Sequence, residues 1–371
     1  MASEDLRILV EGDPHYKTSN LQEMKILESE IFRYLNSNDN IDLFVNLGDS
    51  LHTFRKTDLD PFLMCFKFMK KISSMKQTIM IIGNHDRKNN REFCSSNHFF
   101  HGLKKYGVTV VDKPRVVFVK KRPILCLPYV WKGDIDKLLK EKVKVSDQKD
   151  CVATVEEWIS RAHLVLAHHD FKGRLEGNSV RSDGWDWKGP GLVISGHIHT
   201  YSFPQPKVCY IGTPMQENFG ELNDKALGLV KLSSSGEKCF SVIGEDVYWS
   251  IERVFLNIPV KEVLKMSIKD LYSFEIPQNA LISLKIKAFG TNAEKKGIIK
   301  SGIIEKLAQR SIIEFIETET NKVIQIPTTD DPVGEMNKSL FKLALSNPRK
   351  LKWFNRLYND NAKPKITFCK I

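Results

Sequence analysis

The sequence lacks several features that mark membrane-spanning and secreted proteins. No uninterrupted apolar run approaches the roughly 18 residues that a membrane-spanning helix needs, and no signal-peptide pattern precedes the first predicted strand. The seven cysteines are scattered, odd in number and without a Cys-x-x-Cys pair, which is typical of a reducing compartment. We therefore expect a soluble, intracellular protein, located in the cytoplasm or nucleus, or in a host cell if it is viral.

Length and charge set broad limits on organisation and partners. The 371 residues, 42% of them hydrophobic, suit a main domain plus a smaller one, each able to bury a core. The 56 Lys and Arg residues exceed the 45 Asp and Glu residues, which gives a formal net charge of +11. This excess fits an anionic polymer as partner, although many basic proteins bind no nucleic acid.

Short apolar runs that end in metal-competent side chains recur five times along the sequence. One Ile-rich run, for example, ends at Gly83 and is followed by Asn84, His85 and Asp86. Ligands of open α/β sheets gather beyond the carboxyl ends of the strands, so these side chains are expected to meet at one site. The candidates at the other run ends are Asp13, His15, Asp49, His168, His169, His197 and His199.

The residue types indicate a site for divalent metal ions. A His, Asp and Asn set without thiolates suits manganese, iron or zinc, and a shared carboxylate can bridge two ions. Asp49 is the candidate bridge. Two ions about 3.5–4 Å apart orient a water-derived nucleophile and stabilise the attacking and leaving oxygens of a phosphate ester. His85 is the candidate that contacts the phosphate or protonates the leaving oxygen, and Asp86 either orients its imidazole or caps a helix.

The ordered motifs resemble those of the calcineurin-like metallophosphoesterases over roughly the first two thirds of the chain. They are Asp13-Pro-His15, Gly48-Asp49, Gly83-Asn-His-Asp86, His168 and Gly196-His-Ile-His199. Further segments are similar to the SbcD-like and meiotic-recombination DNA repair nucleases, including those of large phages. These segments are Gly48-Asp-Ser-Leu-His52, Leu127-Pro-Tyr-Val-Trp131, Tyr210-Ile-Gly-Thr-Pro214 and Phe219-Gly-Glu221.

The resemblance implies a two-metal nuclease site. It assigns two ions, most commonly Mn²⁺, with Mg²⁺, Fe²⁺ or Zn²⁺ as alternatives, and it makes His85 catalytic with His52 as a second active-site histidine. Of the adjacent histidines His168 and His169, we assign the first as ligand because it follows the strand directly. Tyr16-Lys17 and Ser50-Leu51 depart from the usual family pattern. The implied metal ligands are Asp13, His15, Asp49, Asn84, His168, His197 and His199.

Alternating strand and helix patterns predict an α/β fold, and the resemblance implies a four-layer α/β/β/α sandwich. Helices are predicted from Asn20 to about Leu35 and after Asp60-Pro61, and later strands are expected to complete a second, antiparallel sheet. We divide the chain into a nuclease domain (1–256), a small α+β capping domain (257–325) and a helical C-terminal segment (326–371).

The resemblance also implies DNA, as duplex ends or single strands, as substrate. It further implies an SbcC-type ATPase bound by the C-terminal helices, and a homodimer; a membrane is not expected as a partner. Two alternatives remain, a phosphodiesterase or phosphatase for small molecules and an idle DNA-end-binding scaffold. Trp185 and Trp187 either pin their loop or contact bases. The candidate DNA-contacting cations are Arg55, Lys56, Arg87, Lys88, Arg91, Arg174 and Arg181.

Overall fold

The computed structural model describes residues 5–54, 56, 58–145, 153–177, 179–217, 225–233, 238–243, 251–259, 281–291, 294, 296–297, 300–301 and 311–317. The α-helices among these residues are α1 (Leu21–Ser37), α2 (Leu59–Ser73), α3 (Ile135–Lys140) and α4 (Val155–Ile159). The 3₁₀ turns are Thr18–Asn20, Phe99–Tyr106 and Lys132–Asp134. The strands are β1 (Leu6–Glu11), β2 (Leu43–Asn46), β3 (Gln77–Ile81), β4 (Val108–Val111), β5 (Arg115–Val119), β6 (Arg122–Leu127), β7 (Lys144–Val145), β8 (Leu164–His168), β9 (Leu175–Glu176), β10 (Ser179–Val180), β11 (Leu192–Gly196), β12 (Ser202–Gln205), β13 (Val208–Tyr210), β14 (Leu227–Leu232), β15 (Lys238–Ile243), β16 (Ile251–Pro259), β17 (Leu281–Gly290) and β18 (Ser311–Glu317).

Two large mixed sheets carry most of these strands. The first has the order β15-β14-β1-β2-β3-β4, and its four strands β1 to β4 run parallel. The second has the order β12-β13-β11-β8-β6-β5-β7, with β13, β11, β8 and β6 parallel. Parallel neighbours send their carboxyl ends to the same edge of a sheet, and that edge is where side chains of consecutive strands can meet.

Alternating burial along the central strands produces the layers. In β1, Leu9 packs into a core that also contains Leu27 of α1 and Phe68 of α2. Its neighbours Ile8 and Val10 belong to a second core, between the sheets, because successive strand side chains point to opposite faces. Since one strand is buried on both faces, helices cover one side of the first sheet and the second sheet covers the other.

A third core lies on the other face of the second sheet. Leu138 of α3 and Ile159 of α4 pack there with Trp185 and Trp187. The two tryptophans are only 8% and 7% exposed, which confirms that they pin their loop. Helix, sheet, sheet and helix therefore form the predicted α/β/β/α sandwich.

Local sequence signals predict two of the helices and a hairpin flanked by Arg115, Lys120, Lys121 and Arg122. The spacing that predicts a helix from Asn20 to Leu35 corresponds to α1. Helix α2 is capped by Asp58, two residues before the predicted cap Asp60, and Pro61 lies in its first turn. Lys120 and Lys121 form the turn between β5 and β6, with φ angles of 48° and 63°.

Two of the strands that follow His199, β14 and β15, belong to the first sheet and not to the predicted second one. Strands β14 and β15 do not complete the second sheet: β14 pairs antiparallel with β1 and extends the first one. Strand β13 does join the second sheet, but parallel to β11. An apolar pattern identifies a strand and its buried face, whereas its partner depends on the whole chain path.

The C-terminal third contains a separate three-stranded parallel sheet, with the order β16-β17-β18. For the capping domain the sequence patterns predict a strand over Leu281–Lys287, a helix over 293–308 and a second strand over Ile312–Ile316. Strands β17 and β18 correspond to the two predicted strands. Strand β16 runs across the predicted boundary at residues 256 and 257. Much of the predicted helix 293–308 and all of segment 326–371 lie outside the described residues, so the domain limits remain predictions.

Two observations bear on the class of protein. Among the described residues, no helix combines the length and apolarity that crossing a bilayer would require. The four cysteines whose side chains are described are buried as free thiols, where a cysteine packs as a small apolar residue. They are Cys65, Cys94, Cys126 and Cys209.

The core between the sheets yields a stability prediction. Leu166 of β8 is fully buried there, so Leu166→Ala should lower the free energy of unfolding by about 2–5 kcal/mol, through lost burial and a residual cavity. Leu59→Ala removes the same atoms from a residue that is 67% exposed and should change stability by no more than about 0.5 kcal/mol. Urea unfolding followed by circular dichroism compares the two; equal losses would contradict this packing.

Candidate dinuclear metal centre

The polar strand ends meet at one edge of the sandwich. Asp13 follows β1 of the first sheet, and its Oδ2 accepts a hydrogen bond from the backbone N–H of His197, which follows β11 of the second. The two atoms are 2.7 Å apart. His168 is the last residue of β8, and its Nδ1 atom is 2.8 Å from the carbonyl oxygen of Leu47, which follows β2. These contacts between the sheets hold the predicted ligands in one locality.

A first donor group consists of Asp13, His15 and His199, whose candidate ligand atoms all lie within 4.8 Å of one another. The Nε2 atoms of His15 and His199 are 2.9 Å apart. Neighbouring ligand atoms around an ion bonded at about 2.1 Å are separated by about 3 Å. The spacing of the two imidazoles therefore matches adjacent ligands of one metal ion.

A second donor group consists of Asp49, His168 and His197, and Asn84 joins it. The Leu47 carbonyl can only accept a hydrogen bond, so Nδ1 of His168 carries the proton and Nε2 of the neutral ring presents a lone pair. That Nε2 faces two further acceptors, Asn84 Oδ1 at 3.0 Å and Asp49 Oδ2 at 3.3 Å. Converging lone pairs repel one another unless a cation lies between them, and this fits a metal ion.

Burial reinforces the case for bound cations. Burial, with the charge of Asp49, raises the pKa of Asp13 well above its ordinary value. Asp13 Oδ1 is also buried and finds no hydrogen-bond partner in the described part of the chain. Burial also lowers the pKa of His15, which favours the neutral, ligating form. Two crowded carboxylates and neutral imidazoles form a donor set that divalent cations satisfy.

Asp49, a member of the second group, also acts electrostatically on the first. Burial alone would raise its pKa, but His168, His85 and His15 hold that pKa well below the ordinary value, so the carboxylate is ionised. It contacts His168 in the second group, and its charge acts on Asp13 and His15 of the first. The predicted bridging role remains a prediction.

The backbone is strained at three of the residues that carry these side chains. His15, Asp49 and His197 have positive φ angles of 48°, 48° and 87°, a region that side chains other than glycine rarely adopt. A Cβ on Gly83 would lie 2.3 Å from the backbone N of Asp49, and one on Gly196 would lie 2.4 Å from Asp13 Oδ1. The glycines of the motifs are therefore required by close packing behind the ligands.

His85 lies beside the metal ligands with a defined tautomer. Its Nδ1 is 2.6 Å from the carbonyl oxygen of His52, so Nδ1 carries a proton. Its Nε2 faces the site, 4.0 Å from Asp49 Oδ2. The ring of His85 is 5.0 Å from that of His15 and 6.0 Å from that of His52. Both predicted catalytic histidines therefore flank the donor groups.

No helix begins at Asp86, and its carboxylate binds backbone N–H groups, so its catalytic role stays a prediction. Asp86 is fully buried. Its carboxylate accepts hydrogen bonds from the backbone N–H groups of Gly83 and Leu51, at 3.0 and 3.1 Å. It therefore ties together the two loops that carry Asp49 and His85, while the His52 carbonyl orients the imidazole of His85.

Three residues at this face were not identified from sequence. Phe54, 38% exposed, stacks on His85 with ring centroids 4.0 Å apart. Lys17 pairs with Glu217 at 2.6 Å, and Glu217 Oε2 lies 3.8 Å from His52 Nδ1. Lys17 was noticed only as a departure from the family pattern, and nothing local distinguishes Phe54 or Glu217 from ordinary loop residues.

Of the predicted DNA-contacting cations that the structure describes, two are buried and four are exposed. Arg87 and Arg174 are 1% and 3% exposed. Arg87 donates to the main-chain carbonyls of Glu92 and Tyr129, and Arg174 binds acidic groups of its own loop. Both are structural residues, so their prediction as surface contacts is wrong. Arg181 pairs with Glu176 at 2.7 Å. Lys56, Lys88 and Arg91 are exposed, and Arg55 lies outside the described residues.

A third cluster of potential ligands, His98, His101 and Asp112, serves the fold instead. Lys104 occupies Asp112 Oδ2 at 2.6 Å. His98 Nδ1 accepts the backbone N–H of Phe100, and its Nε2 lies 3.2 Å from Asp112. The Lys104 ammonium group already neutralises the Asp112 carboxylate that a metal ion would need. We therefore assign this cluster a structural role, in which His98 caps the 3₁₀ segment Phe99–Tyr106.

Comparisons with known proteins agree with the site. The family model described as "Calcineurin-like phosphoesterase" matches residues 6–201, more than half of the 371 residues. This range contains all seven predicted metal ligands.

Two viral proteins are similar in sequence. "Putative phosphoesterase 244L" of Invertebrate iridescent virus 6 is 28% identical over 304 residues, which cover 81% of this chain and all of that protein. "Putative phosphoesterase 078R" of Invertebrate iridescent virus 3 is 30% identical over 216 residues, 58% of this chain and 59% of that protein. A structure of the glutamine-dependent NAD⁺ synthetase from Acinetobacter baumannii aligns with 95% of this chain and with 70% of the synthetase chain, at 9% sequence identity. The TM-score of 0.33 is too low to indicate a common fold.

The adjacent histidines yield a prediction about metal binding. His168→Ala should remove one of two Mn²⁺ ions, because its Nε2 points into the second donor group. His169→Phe should retain both, since neither His169 nitrogen has a hydrogen-bond partner among the residues that the structure describes, and its ring packs against Tyr129 and Trp185. Equilibrium dialysis with metal analysis measures the stoichiometry. Equal loss of metal in both variants would contradict the assignment of His168.

Proposed function

This chain belongs to the calcineurin-like phosphoesterase family, and on that premise we propose that it is a manganese-dependent DNA nuclease acting in repair or recombination. The observation that supports the proposal is the pair of donor groups around Asp49, with His85 and His52 on the open side. Two divalent ions and a flanking imidazole suit phosphodiester hydrolysis. We further propose an SbcC-type ATPase and a second copy of the chain as partners.

Each donor group has a defined part in this mechanism. Asp13, His15 and His199 would hold one ion, and Asn84, His168 and His197 the other, with Asp49 common to both. When bound, the ions polarise the phosphate and the water nucleophile and stabilise charge on the reacting oxygens. The strained, buried backbone keeps the donors in place, so little reorganisation is needed during the reaction.

His85 supplies the proton chemistry. Because the His52 carbonyl fixes a proton on Nδ1, Nε2 is the atom that exchanges a proton at the open face. In its protonated form Nε2–H donates to a phosphate oxygen or to the leaving oxygen. This Nε2 atom lies 4.0 Å from Oδ2 of Asp49, so the proton is exchanged beside the donor groups.

Several features support DNA over a small ester. The segments similar to repair nucleases contribute His52 and Tyr129, and the Tyr129 ring lies 5.4 Å from that of His197. An exposed aromatic ring, Phe54, lies on the catalytic histidine. The net charge of +11 favours a polyanion. A small-molecule phosphodiesterase shares every ligand and is the second candidate, whereas a scaffold would not need the strained donor set.

The nuclease proposal predicts metal-dependent cleavage. Purified protein with Mn²⁺ should cleave linear duplex or single-stranded DNA, and a chelator should abolish the reaction. His85→Ala should lower kcat about 10²- to 10⁴-fold with metal binding retained, because it removes the proton donor and no ligand. Gel assays on labelled DNA measure this. Hydrolysis of a small phosphodiester with DNA left intact would instead favour the small-molecule reading.

Phe54 separates the two substrates in a second test. If an unstacked base lies on the exposed face of Phe54, Phe54→Ala should raise KM for single-stranded DNA about tenfold, since base stacking contributes about 1–3 kcal/mol. The KM for bis(p-nitrophenyl) phosphate should stay nearly unchanged. Phe118→Ala is the matched control, because Phe118 is 37% exposed on β5 near its turn to β6, away from the metal edge. Equal effects on both substrates would contradict base stacking.

A further inference from the structure

The outer nitrogens of the two histidines in the second donor group are held by different partners. His168 uses Nδ1 to bind the main-chain carbonyl of Leu47 at 2.8 Å. His197 directs Nδ1 toward Asn84 Oδ1 at 2.8 Å, and its Nε2 lies 3.2 Å from Asp170 Oδ1. A carboxylate on the outer nitrogen fixes the tautomer and orientation of a ligating imidazole.

Asp170 is itself held firmly. Its side chain is 12% exposed, and Arg174 Nε lies 2.9 Å from Asp170 Oδ1. Arg174, only 4% exposed, also binds Glu176 Oε1 at 2.9 Å and the carbonyl oxygen of Asp183 at 2.7 Å. Arg174 therefore connects several residues of the segment between β8 and β11, and these contacts hold Asp170 in place.

The first donor group has no comparable support at His15. Its Nδ1 is buried and, among the described residues, has no hydrogen-bond partner. The two groups therefore differ in what holds an imidazole from behind, although they share the same ligand types. This difference should appear as unequal affinity for two otherwise similar ions.

We propose that Asp170 is a positioning residue that holds His197 with Nδ1 directed at the metal, while Arg174 holds the Asp170 carboxylate. The Asp170 carboxylate accepts the Nε2 proton of His197, which leaves the Nδ1 lone pair for the ion. The second donor group then binds its ion more tightly than the first. The inference rests on the dinuclear centre of the proposed function, and it is independent of whether DNA is the substrate.

Calorimetric titration of metal-free, full-length protein with Mn²⁺ tests this inference. Wild type should bind two ions with distinct affinities. Asp170→Ala should weaken the tighter site about 10- to 100-fold, the usual cost of losing such an outer partner, and leave the weaker site nearly unchanged. Asp170→Asn keeps the shape and an acceptor but loses the charge, so the tighter site should weaken by a smaller factor.

Asp186→Ala is the matched control. Asp186 lies in the same loop, is 51% exposed and pairs only with Lys188 among the ion pairs of the described residues, so its loss should leave both affinities unchanged. Circular dichroism verifies the fold of each variant. Should Asp170→Ala fail to fold, Asp170→Asn alone decides the question.

Three results would overturn the inference. Unchanged affinities in the folded Asp170 variants would show that the carboxylate does not support His197. Equal weakening of both sites would indicate general loosening of the centre rather than support of one ligand. Wild-type protein that binds fewer than two Mn²⁺ ions would contradict the dinuclear centre itself, and with it the role of Asp170, whereas normal wild-type binding confines a failure to Asp170.

Discussion

Lone pairs that converge in a buried space are the constraint on which the rest of this structure depends. Nε2 of His168 lies 3.0 Å from Oδ1 of Asn84 and 3.3 Å from Oδ2 of Asp49, and the Asp13 carboxylate is also buried. Without a cation each contact is repulsive, so the rigid sandwich must hold the atoms in place. Part of the free-energy cost of holding these atoms together is backbone strain, seen as positive φ angles at three of the candidate ligands.

Both sheets contribute candidate ligands to the metal centre. The first sheet provides ligands from β1, β2 and β3, and the second from β8 and β11. Backbone contacts such as His197 N–H to Asp13 Oδ2 cross directly between them. Because the core between the sheets is packed behind these strand ends, their relative position is fixed by burial and not by the ions alone.

Around this centre, neighbouring groups give similar side chains different tasks. His168 and His169 are adjacent in sequence, yet one faces the donors and the other packs among aromatic rings. A main-chain carbonyl sets the tautomer of His85, and a carboxylate lies against the outer nitrogen of His197. The loops that carry Phe54, Lys17 and Glu217 surround the open face, where a substrate would enter.

The amino-acid sequence alone determined the ligand types and their positions after apolar runs, because a strand ending in glycine and a polar residue is a local signal. It also determined α1, the β5–β6 turn and the four-layer class. Tertiary structure alone decided that β14 pairs with β1, that Arg87 and Arg174 are buried, and that Asp86 ties two loops together. These outcomes depend on which distant segments become neighbours, and hydrophobic periodicity carries no information about that choice.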